Sequence, residues 1–431
     1  MPQLVFLSLF LGLVAGVQQI DLRADPSIKS IRISLGAREL ATLQRPPWHA
    51  VVDFGADLVP RELTAVGFDS EGNEVARTTQ VVNLKRPLAE VAISVKQENG
   101  EPAVVELTGR HLQFIQPDRA TVRVDDQALR MEGFTAHLPN LDPKRPHVIS
   151  AEMRFQDGAV ARREVVLTGW NSYLAGSEMT PVVITRTSEK KAAALDGCFS
   201  VDRTNLNTGT VERTNALVVF VKDPDASEAQ KTLRLSDMMM HDGLRTRRET
   251  TLDADSTIRV VWPITQEFKE GNAESVLFEN SNDLDALHMP VSTVLAMRFP
   301  VRHFEDKPRQ FADAVAVAGL QTILPARRRA VVLVLSDEPD KSIYKPAVVR
   351  RYLQSIGVPL FVWSLSGPRP DLADSWGEVL DVSRHPGLRD AVSRLRETLD
   401  RQCLVWLPVD ALTALRVEAK ASCGVSVVPR P

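Results

Sequence analysis

The feature that most constrains the fold of this sequence is a change of hydrophobic periodicity near Trp170. Before that residue, short runs alternate apolar and polar residues and stop at turn-forming clusters, which is typical of half-buried antiparallel strands. From about residue 214 onward, continuous apolar runs alternate with segments whose apolar residues recur at helical spacing. The pattern predicts a multidomain chain in which β-sandwiches precede an α/β domain.

Two all-β sandwiches are predicted in the first part of the chain. The first spans residues 18–86 and contains the runs IKSIRISLG, WHAVVDFG and ELTAVGFD with the turn cluster DSEGN. The second spans residues 87–169, where Val91, Ile93 and Val95 alternate with polar neighbours. A length of 431 residues agrees with this division, because one hydrophobic core seldom serves so long a chain.

The first sandwich segment resembles the immunoglobulin-like modules of bacterial cell-surface proteins. The resemblance covers residues 20–84 and rests on LQRPPWHAVVDFG followed by LTAVGFDSEGNEVARTTQVVN, with a Pro-Pro-aromatic entry and a strand that ends in D-x-G. It implies a spacer or binding role for this part of the chain.

The α/β domain is predicted to span residues 170–431, with its core at residues 214–402, a β lead-in and a C-terminal β-hairpin. We expect a doubly wound, Rossmann-like sheet that is mainly parallel. Its strands are expected at residues 216–221, 257–264, 330–336 and 358–364. Three apolar stripes predict its helices: Phe311, Val315, Ala318 and Thr322; Val348, Val349, Tyr352, Leu353 and Ile356; Leu388, Val392, Leu395 and Leu399.

The first residues, MPQLVFLSLFLGLVAGVQQ, contain an apolar run from Leu4 to Ala15 that is followed by small residues. We interpret residues 1–17 as a secretory signal peptide with cleavage after Gly16, and a buried first strand is the alternative. The mature chain is then expected to be secreted or periplasmic and to have no membrane span. The formal net charge of −3 gives no indication of nucleic-acid binding.

A cluster of oxygen-bearing side chains follows the first strand of the α/β domain. In NALVVFVKDPDASEAQ, an apolar run stops at Asp223, Asp225 and Ser227. Open α/β sheets bind their ligands at the carboxyl ends of their strands. The cluster is therefore a candidate site for a metal ion or a phosphoryl group.

Residues 214–402 resemble a von Willebrand factor type A domain, in the divergent form found in exported bacterial proteins with immunoglobulin-like modules. Four segments carry the resemblance: ALVVFVKDPDAS, QFADAVAVAGLQ, RRAVVLVLSDEPD and YLQSIGVPLFVWSL. Metal-binding members of that family use a D-x-S-x-S loop, a threonine and a further aspartate. The ion completes its ligand shell with a carboxylate from the partner protein.

Carried over to this sequence, Asp223 is at the first aspartate, Asp225 replaces the first serine, and Ser227 keeps the second serine. Asp337 is at the third-loop aspartate, and the threonine position is occupied by Arg309. A guanidinium group has five donors and no acceptor, so it is not a metal ligand. The resemblance therefore implies a degenerate metal-ion-dependent adhesion site.

Two arrangements of these residues remain open. In one, Asp223, Asp225, Ser227 and Asp337 hold Mg²⁺ or Ca²⁺. In the other, Arg309 pairs with the carboxylates and takes the place of the ion, and the extra carboxylate at Asp225 matches the extra positive charge. We favour the second arrangement and expect no cofactor.

The same cluster also resembles the active site of the haloacid dehalogenase-like hydrolases, in which an apolar strand ends in D-x-D. On this alternative, Asp223 is the phosphoryl nucleophile and Asp225 is the general acid/base. Asp337, with Glu338 or Asp340, would bind Mg²⁺.

The hydrolase alternative needs two further residues. Thr265 is a candidate for the hydroxyl residue that ends the second core strand, but PARRRAVV has arginine where those enzymes have lysine. We therefore predict a non-enzymatic interaction or adhesion protein whose ligand is an unidentified protein or cell-surface group.

Three cysteines complete the set of chemically distinctive residues, at positions 198, 403 and 423. Their spacing does not match a zinc site. A bridge between Cys403 and Cys423 that closes the C-terminal strand pair is one arrangement, and buried free thiols are the other.

Overall fold

The structure is a computed structural model, and it describes most of the chain. The described residues are 4–8, 10, 12–84, 89–98, 101–111, 115–125, 127–142, 147–156, 160–167, 179–186, 195, 197–206, 208, 211–225, 227, 249–265, 278–297, 307–323 and 327–427. The domain boundaries predicted at residues 86–87 and 169–170 lie outside these ranges.

The first sandwich is built from two antiparallel sheets. Its strands are β1 (Leu4–Phe6), β2 (Val17–Ala24), β3 (Ser30–Leu35), β4 (Arg38–Leu43), β5 (His49–Asp53), β6 (Arg61–Phe68) and β7 (Glu74–Val82). One sheet has the order β1-β2-β5 and the other has the order β4-β3-β6-β7. The alternating side chains of facing strands, including Ile20, Ile31 and Leu63, are fully buried between the sheets.

The segment predicted to be a signal peptide contributes a strand to this sandwich. Leu4, Val5 and Phe6 pair with Ala24, Arg23 and Leu22 of β2. Leu4 and Phe6 are 6 % exposed, because alternation places both side chains in the core. The structure therefore shows the alternative of a buried first strand, while export stays a prediction.

The second sandwich is also built from two antiparallel sheets, each with four strands. Its strands are β8 (Ala89–Glu98), β9 (Glu101–His111), β10 (Pro117–Val124), β11 (Gln127–Ala128), β12 (Met131–Glu132), β13 (Thr135–His137), β14 (His147–Phe155) and β15 (Val160–Leu167). The sheet orders are β11-β10-β14-β15 and β12-β13-β9-β8. Ile149 and Met153 of β14 are fully buried, as their alternation predicts.

The rest of the chain combines a large sheet with helices and two small sheets. Its strands are β16 (Met179–Arg186), β17 (Phe199–Val201), β18 (Thr204–Leu206), β19 (Val211–Glu212), β20 (Ala216–Lys222), β21 (Ser256–Thr265), β22 (Phe278–Asn280), β23 (Leu284–Asp285), β24 (Arg328–Leu335), β25 (Leu360–Ser364), β26 (Val379–Asp381), β27 (Gln402–Pro408), β28 (Glu418–Ala419) and β29 (Val425–Val427). The α-helices are α1 (Val291–Ala296), α2 (Phe311–Ile323), α3 (Pro346–Ser355), α4 (Ala373–Trp376), α5 (His385–Arg401) and α6 (Ala411–Ala414). Two 3-10 helices span Pro370–Leu372 and Ala421–Cys423.

The large sheet is mainly parallel, as predicted. Its order is β22-β21-β20-β24-β25-β26, and β23 also pairs with β21. Strands β20, β21, β24, β25 and β26 run parallel, whereas β22 and β23 are antiparallel to β21. Every residue of β20 and β24 is buried, because helices cover both faces of the sheet. The four strands and three helices predicted from hydrophobic periodicity are confirmed.

Two hydrophobic clusters lie on opposite faces of this sheet. Val218 and Phe220 pack with α1 and α5, whereas Leu217 and Val219 pack with α2 and α3. Within the described residues, none of the helices is long and apolar enough to cross a membrane.

The first sandwich contacts the α/β domain directly. Leu58 is 1 % exposed and belongs to the hydrophobic cluster that contains α3. The Tyr352 hydroxyl donates a hydrogen bond of 3.2 Å to the carbonyl oxygen of Asn83. Arg351 lies 3.0 Å from Asp57.

The C-terminal segment differs from the predicted hairpin. One of the two small sheets has the order β19-β27-β16-β29, so β16 lies between β27 and β29. Cys403 of β27 is free and buried, and the bridge predicted between Cys403 and Cys423 is wrong. Cys423 is instead bonded to Cys198, with the two Cα atoms 6.0 Å apart. The amide of Lys420 donates to the carbonyl oxygen of Cys198 at 2.9 Å, which holds the 3-10 helix against this partner.

Candidate functional site

A cleft of about 240 Å³ lies at the carboxyl edge of the parallel sheet. Strands β20 and β24 are neighbours, and Lys222 is paired with Val334, so the loops that follow them leave the sheet side by side. The cleft is lined by Lys222, Asp223, Asp225, Ser227, Leu295, Arg309, Val334, Leu335, Ser336, Asp337, Glu338 and Leu365. The sequence-predicted residues therefore meet at one position in the fold.

Asp223 is the most deeply placed carboxylate of the cleft and is 4 % exposed. Its Oδ1 accepts a hydrogen bond of 2.8 Å from the amide of Asp225. Its Oδ2 accepts two more, from Arg309 Nε at 3.1 Å and from Ser336 Oγ at 3.0 Å. Both oxygens of Asp223 are thus engaged by groups of the protein.

Arg309 is held from several directions and is 5 % exposed. Its Nη1 donates to the carbonyl oxygen of Lys307 at 2.7 Å. Its own carbonyl oxygen accepts from the amide of Lys341 at 2.7 Å, and the backbone forms a parallel bridge with Asp340. The guanidinium position is therefore fixed by the backbone on both sides of it.

Asp225 and Ser227 form a local turn. Asp225 Oδ1 accepts from the Ser227 amide at 2.8 Å, and Asp225 Oδ2 accepts from Ser227 Oγ at 3.1 Å. Aspartate side chains often bond to the backbone two residues further on in this way. Both oxygens of Asp225 face Ser227, although both residues line the cleft.

Asp337 lines the rim of the cleft, and its side chain is 65 % exposed. It lies 3.5 Å from Arg369 Nη1. The residue from this loop that bonds to Asp223 is Ser336, which sequence analysis did not single out. Its position directly before Asp337 in LSDEPD was the available signal.

Lys222 is a second buried cation that sequence analysis missed. It is 2 % exposed, and its Nζ donates to the carbonyl oxygens of Asp223 at 2.9 Å and Met297 at 2.7 Å. Burial lowers the pKa of Lys222 to about 8, and the carboxylates of Asp223 and Asp225 oppose this effect. A lysine at the end of an otherwise apolar strand was the signal in the sequence.

The residues that the hydrolase alternative requires have other contacts. Asp340 Oδ1 accepts from the amide of Phe311 at 2.9 Å, so it caps the start of α2. It also accepts from the amide of Ser342 at 3.0 Å. Thr265 ends β21, where it is paired with Phe278 of the antiparallel edge strand.

Asp313, in the first turn of α2, joins this helix to the loop that follows β24. Its two carboxylate oxygens accept from the amides of Ile343 at 2.8 Å and Tyr344 at 2.9 Å. Burial raises the pKa of Asp313. This carboxylate therefore fixes the loop after β24.

These contacts do not fit a Mg²⁺ or Ca²⁺ site. Either ion takes six or more oxygen ligands, but the oxygens of Asp223 and Asp225 accept hydrogen bonds from the protein. Arg309 also brings a positive charge to within 3.1 Å of the Asp223 carboxylate. Among the described residues, no group of three or more His, Cys, Asp or Glu side chains is arranged to hold a metal ion.

No protein-family model matches the sequence, and no curated protein matches it. Solved structures with local likeness include the fibronectin(III)-like modules of Clostridium thermocellum CbhA, with 14% identity, coverage of 39% of this chain and 94% of that chain, and a TM-score of 0.16. The central fibronectin-III array of RIM-binding protein has 11% identity, coverage of 47% and 83%, and a TM-score of 0.23. Proximal thread matrix protein 1 from the mussel byssus has 13% identity, coverage of 44% and 49%, and a TM-score of 0.28. These TM-scores are too low to show a shared fold. The sandwich architecture of this chain is seen directly in its own sheets.

Proposed function

We propose that this chain is an exported, non-enzymatic interaction protein. Its α/β domain, of the von Willebrand factor A type, would contact a protein or cell-surface ligand through the carboxyl edge of the parallel sheet. The ligand would bind without a metal ion, because Arg309 takes the place of that ion. The observation that carries the proposal is the buried pair of Arg309 and Asp223, with Nε and Oδ2 3.1 Å apart.

The position of the pair supports an interaction site. Open α/β sheets bind their ligands beyond the carboxyl ends of the strands, and the cleft lies there. Asp337 and Glu338 are exposed on its rim and are available to a partner.

The charges support metal-free binding. A dication at this position would lie beside the permanent cation of Arg309, which is 5 % exposed and poorly screened by water. One buried guanidinium already balances the buried carboxylate of Asp223. A metal ion would have to displace Arg309 before it could reach Asp223.

The contacts of Asp223 also weigh against the phosphohydrolase alternative. A nucleophilic carboxylate needs an oxygen that faces the substrate. The Asp223 oxygens instead accept hydrogen bonds from Asp225, Arg309 and Ser336. Asp340, a candidate metal ligand in that alternative, caps α2.

The metal question is tested by isothermal titration calorimetry of the full chain with Mg²⁺, Ca²⁺ and Mn²⁺. We expect no binding by the wild type and a gain of binding in Arg309→Thr, which restores the hydroxyl of the family pattern. A matched control is Arg369→Thr, which removes a cation from the rim and leaves the buried pair intact. Binding by the wild type, or phosphatase activity lost in Asp223→Asn, would overturn the proposal.

The contact face is tested by site-specific photocrosslinking in the source organism. A photoreactive residue at position 338, on the rim of the cleft, should form a defined adduct that persists in the presence of EDTA. The same residue at the exposed position 397, near the end of α5, is the control, because Leu399 contacts Arg328 at the opposite edge of the sheet. Equal labelling at both positions would exclude a specific contact face.

A further inference from the structure

Residues 4–8, 10 and 12–16 occupy a groove in the first sandwich, which we name the leader groove. Its walls are β2, the buried amide side chains of Gln80 and Asn83, and the adjoining surface of the α/β domain. Leu13 and Ala15 pack against the α/β cluster that contains α3. The segment predicted to be removed on export therefore fills a site formed by two domains.

The groove binds this segment largely through its backbone. Gln80 Nε2 donates to the carbonyl oxygen of Ser8 at 3.0 Å, and Gln80 Oε1 accepts from the amide of Phe10 at 3.4 Å. Asn83 repeats this pattern, because its Oδ1 accepts from the amide of Val14 at 2.7 Å and its Nδ2 donates to the carbonyl oxygen of Val14 at 3.0 Å. Gln80 and Asn83 are 4 % and 3 % exposed, so they have little access to water.

Apolar pockets supply the other part of the recognition. Leu4 and Phe6 enter the core of the sandwich, while Val5 between them is 38% exposed. Further along, Phe10 packs edge to face against Phe54, with ring centroids 5.2 Å apart. The groove thus accepts an extended segment whose alternate side chains are apolar, and residues 1–20 contain no charged residue.

Backbone-directed bonds tolerate changes of side chain, since every peptide unit offers the same donor and acceptor. Removal of residues 1–16 would leave the amides of Gln80 and Asn83 without these partners and would expose the edge of β2. Without the leader these amides would be open to water and to another backbone, and an open strand edge binds other extended chains. An emptied leader groove is therefore suited to strand addition.

We propose that, in the exported chain, the leader groove binds an extended, uncharged, apolar segment of a partner protein. This inference rests on export, which is part of the proposed function, but it concerns a different surface from the cleft at the sheet edge. The partner would supply one strand beside β2 and satisfy Gln80 and Asn83 through its backbone.

The test begins with the full chain expressed with its leader, and the N-terminus of the exported protein is determined by mass spectrometry. Protein that begins at Val17 is titrated with a peptide probe of residues 4–16 carrying C-terminal lysines for solubility. We expect one peptide to bind per chain, and a probe with aspartate in place of Leu4 and Phe6 to bind no more than weakly. Gln80→Met should lower the affinity by about tenfold, because it removes two hydrogen bonds and keeps the side-chain volume.

Gln127→Met is the matched control, because Gln127 is exposed in the second sandwich, and it should bind the probe like the wild type. A chain that begins at Val17 and does not bind the probe overturns this inference and leaves the proposed function standing. An exported chain that retains residues 1–16 overturns cleavage of the leader and, with it, binding in trans, and leaves the proposed function standing. A dimer that the probe dissociates would assign the groove to a second copy of the chain and would overturn the partner proposed here.

Discussion

Arg309 and Asp223 form an ion pair in which Nε and Oδ2 are 3.1 Å apart and each side chain is 5% exposed. The two residues are separated by 86 positions in the chain, and they meet because β20 and the start of α2 converge at the carboxyl edge of the sheet. The Ser336 hydroxyl donates a hydrogen bond to the same Asp223 oxygen.

Loss of one partner of this pair should be costly. Arg309→Ala leaves the Asp223 carboxylate buried without its cation, and we expect the free energy of unfolding of the α/β domain to fall by roughly 3–5 kcal/mol. Urea denaturation followed by tryptophan fluorescence measures the change. The double variant Arg309→Ala with Asp223→Ala should recover part of the loss, and Arg369→Ala at the exposed rim should cost less than about 1 kcal/mol. Equal losses in Arg309→Ala and Arg369→Ala would contradict a strong buried pair.

Lys222 should make stability depend on pH. Burial lowers its pKa from 10.5 to about 8 in the folded chain, so between these values the unfolded chain binds more protons. The penalty for burying the ammonium group is fully present below pH 8 and is relieved as the pH rises to 10.5. The free energy of unfolding should therefore gain about 3 kcal/mol over this range from Lys222.

The measurement is a series of urea denaturations from pH 7.5 to pH 10.5, which covers the interval between the two pKa values, on the wild type and on Lys222→Met. The difference between the two proteins removes the contribution of other titrating groups. A difference that stays constant with pH would show that the pKa of Lys222 is not lowered.

The disulfide assignment predicts a specific thiol count. Under denaturing, non-reducing conditions, one thiol per chain should react, and it should be lost in Cys403→Ala but not in Cys198→Ala. Cys198→Ala should also lower the free energy of unfolding by about 2–5 kcal/mol, because the unfolded chain loses a crosslink. Tryptic peptide mapping that joined Cys403 to Cys423 would contradict the structure.

Gly387 should not tolerate a larger side chain. A Cβ atom at this position would collide with the backbone carbonyl oxygen of Asp381, so the start of α5 would have to move away from β26. We expect Gly387→Ala to cost roughly 1–3 kcal/mol in the free energy of unfolding. The control is Gly319→Ala, whose Cβ would lie 2.9 Å from the flexible tip of Leu353 and should cost less. Thermal denaturation of both variants decides between these outcomes.

The core of the fold was predictable from the sequence because it depends on periodicity alone. Strand β20 is a continuous apolar run because both of its faces are covered, and α5 shows its stripe because one face is covered. Hydrophobicity alone does not decide the structure of residues 4–6, because an apolar run is typical both of a signal peptide and of a buried strand.

The site was predictable only in part. The sequence located Asp223 at the end of a strand and placed Arg309 opposite it through a family resemblance. It did not show that Ser336 would bond to Asp223 while Asp337 faces Arg369, because side-chain directions in a loop after a strand depend on how that loop is held. The disulfide was missed for a topological reason, because β16, which is distant in sequence, lies between β27 and β29.

The bond between Cys198 and Cys423 also determines how the chain would carry a mechanical load. The two cysteines are 225 positions apart, and the whole parallel sheet lies between them in sequence. Tension applied between the sandwiches and the C-terminal residues would pass from Cys198 to Cys423 through the covalent bond. The parallel sheet would stay outside the path of the force, so the cleft at its carboxyl edge would keep its shape while the rest of the chain is stretched.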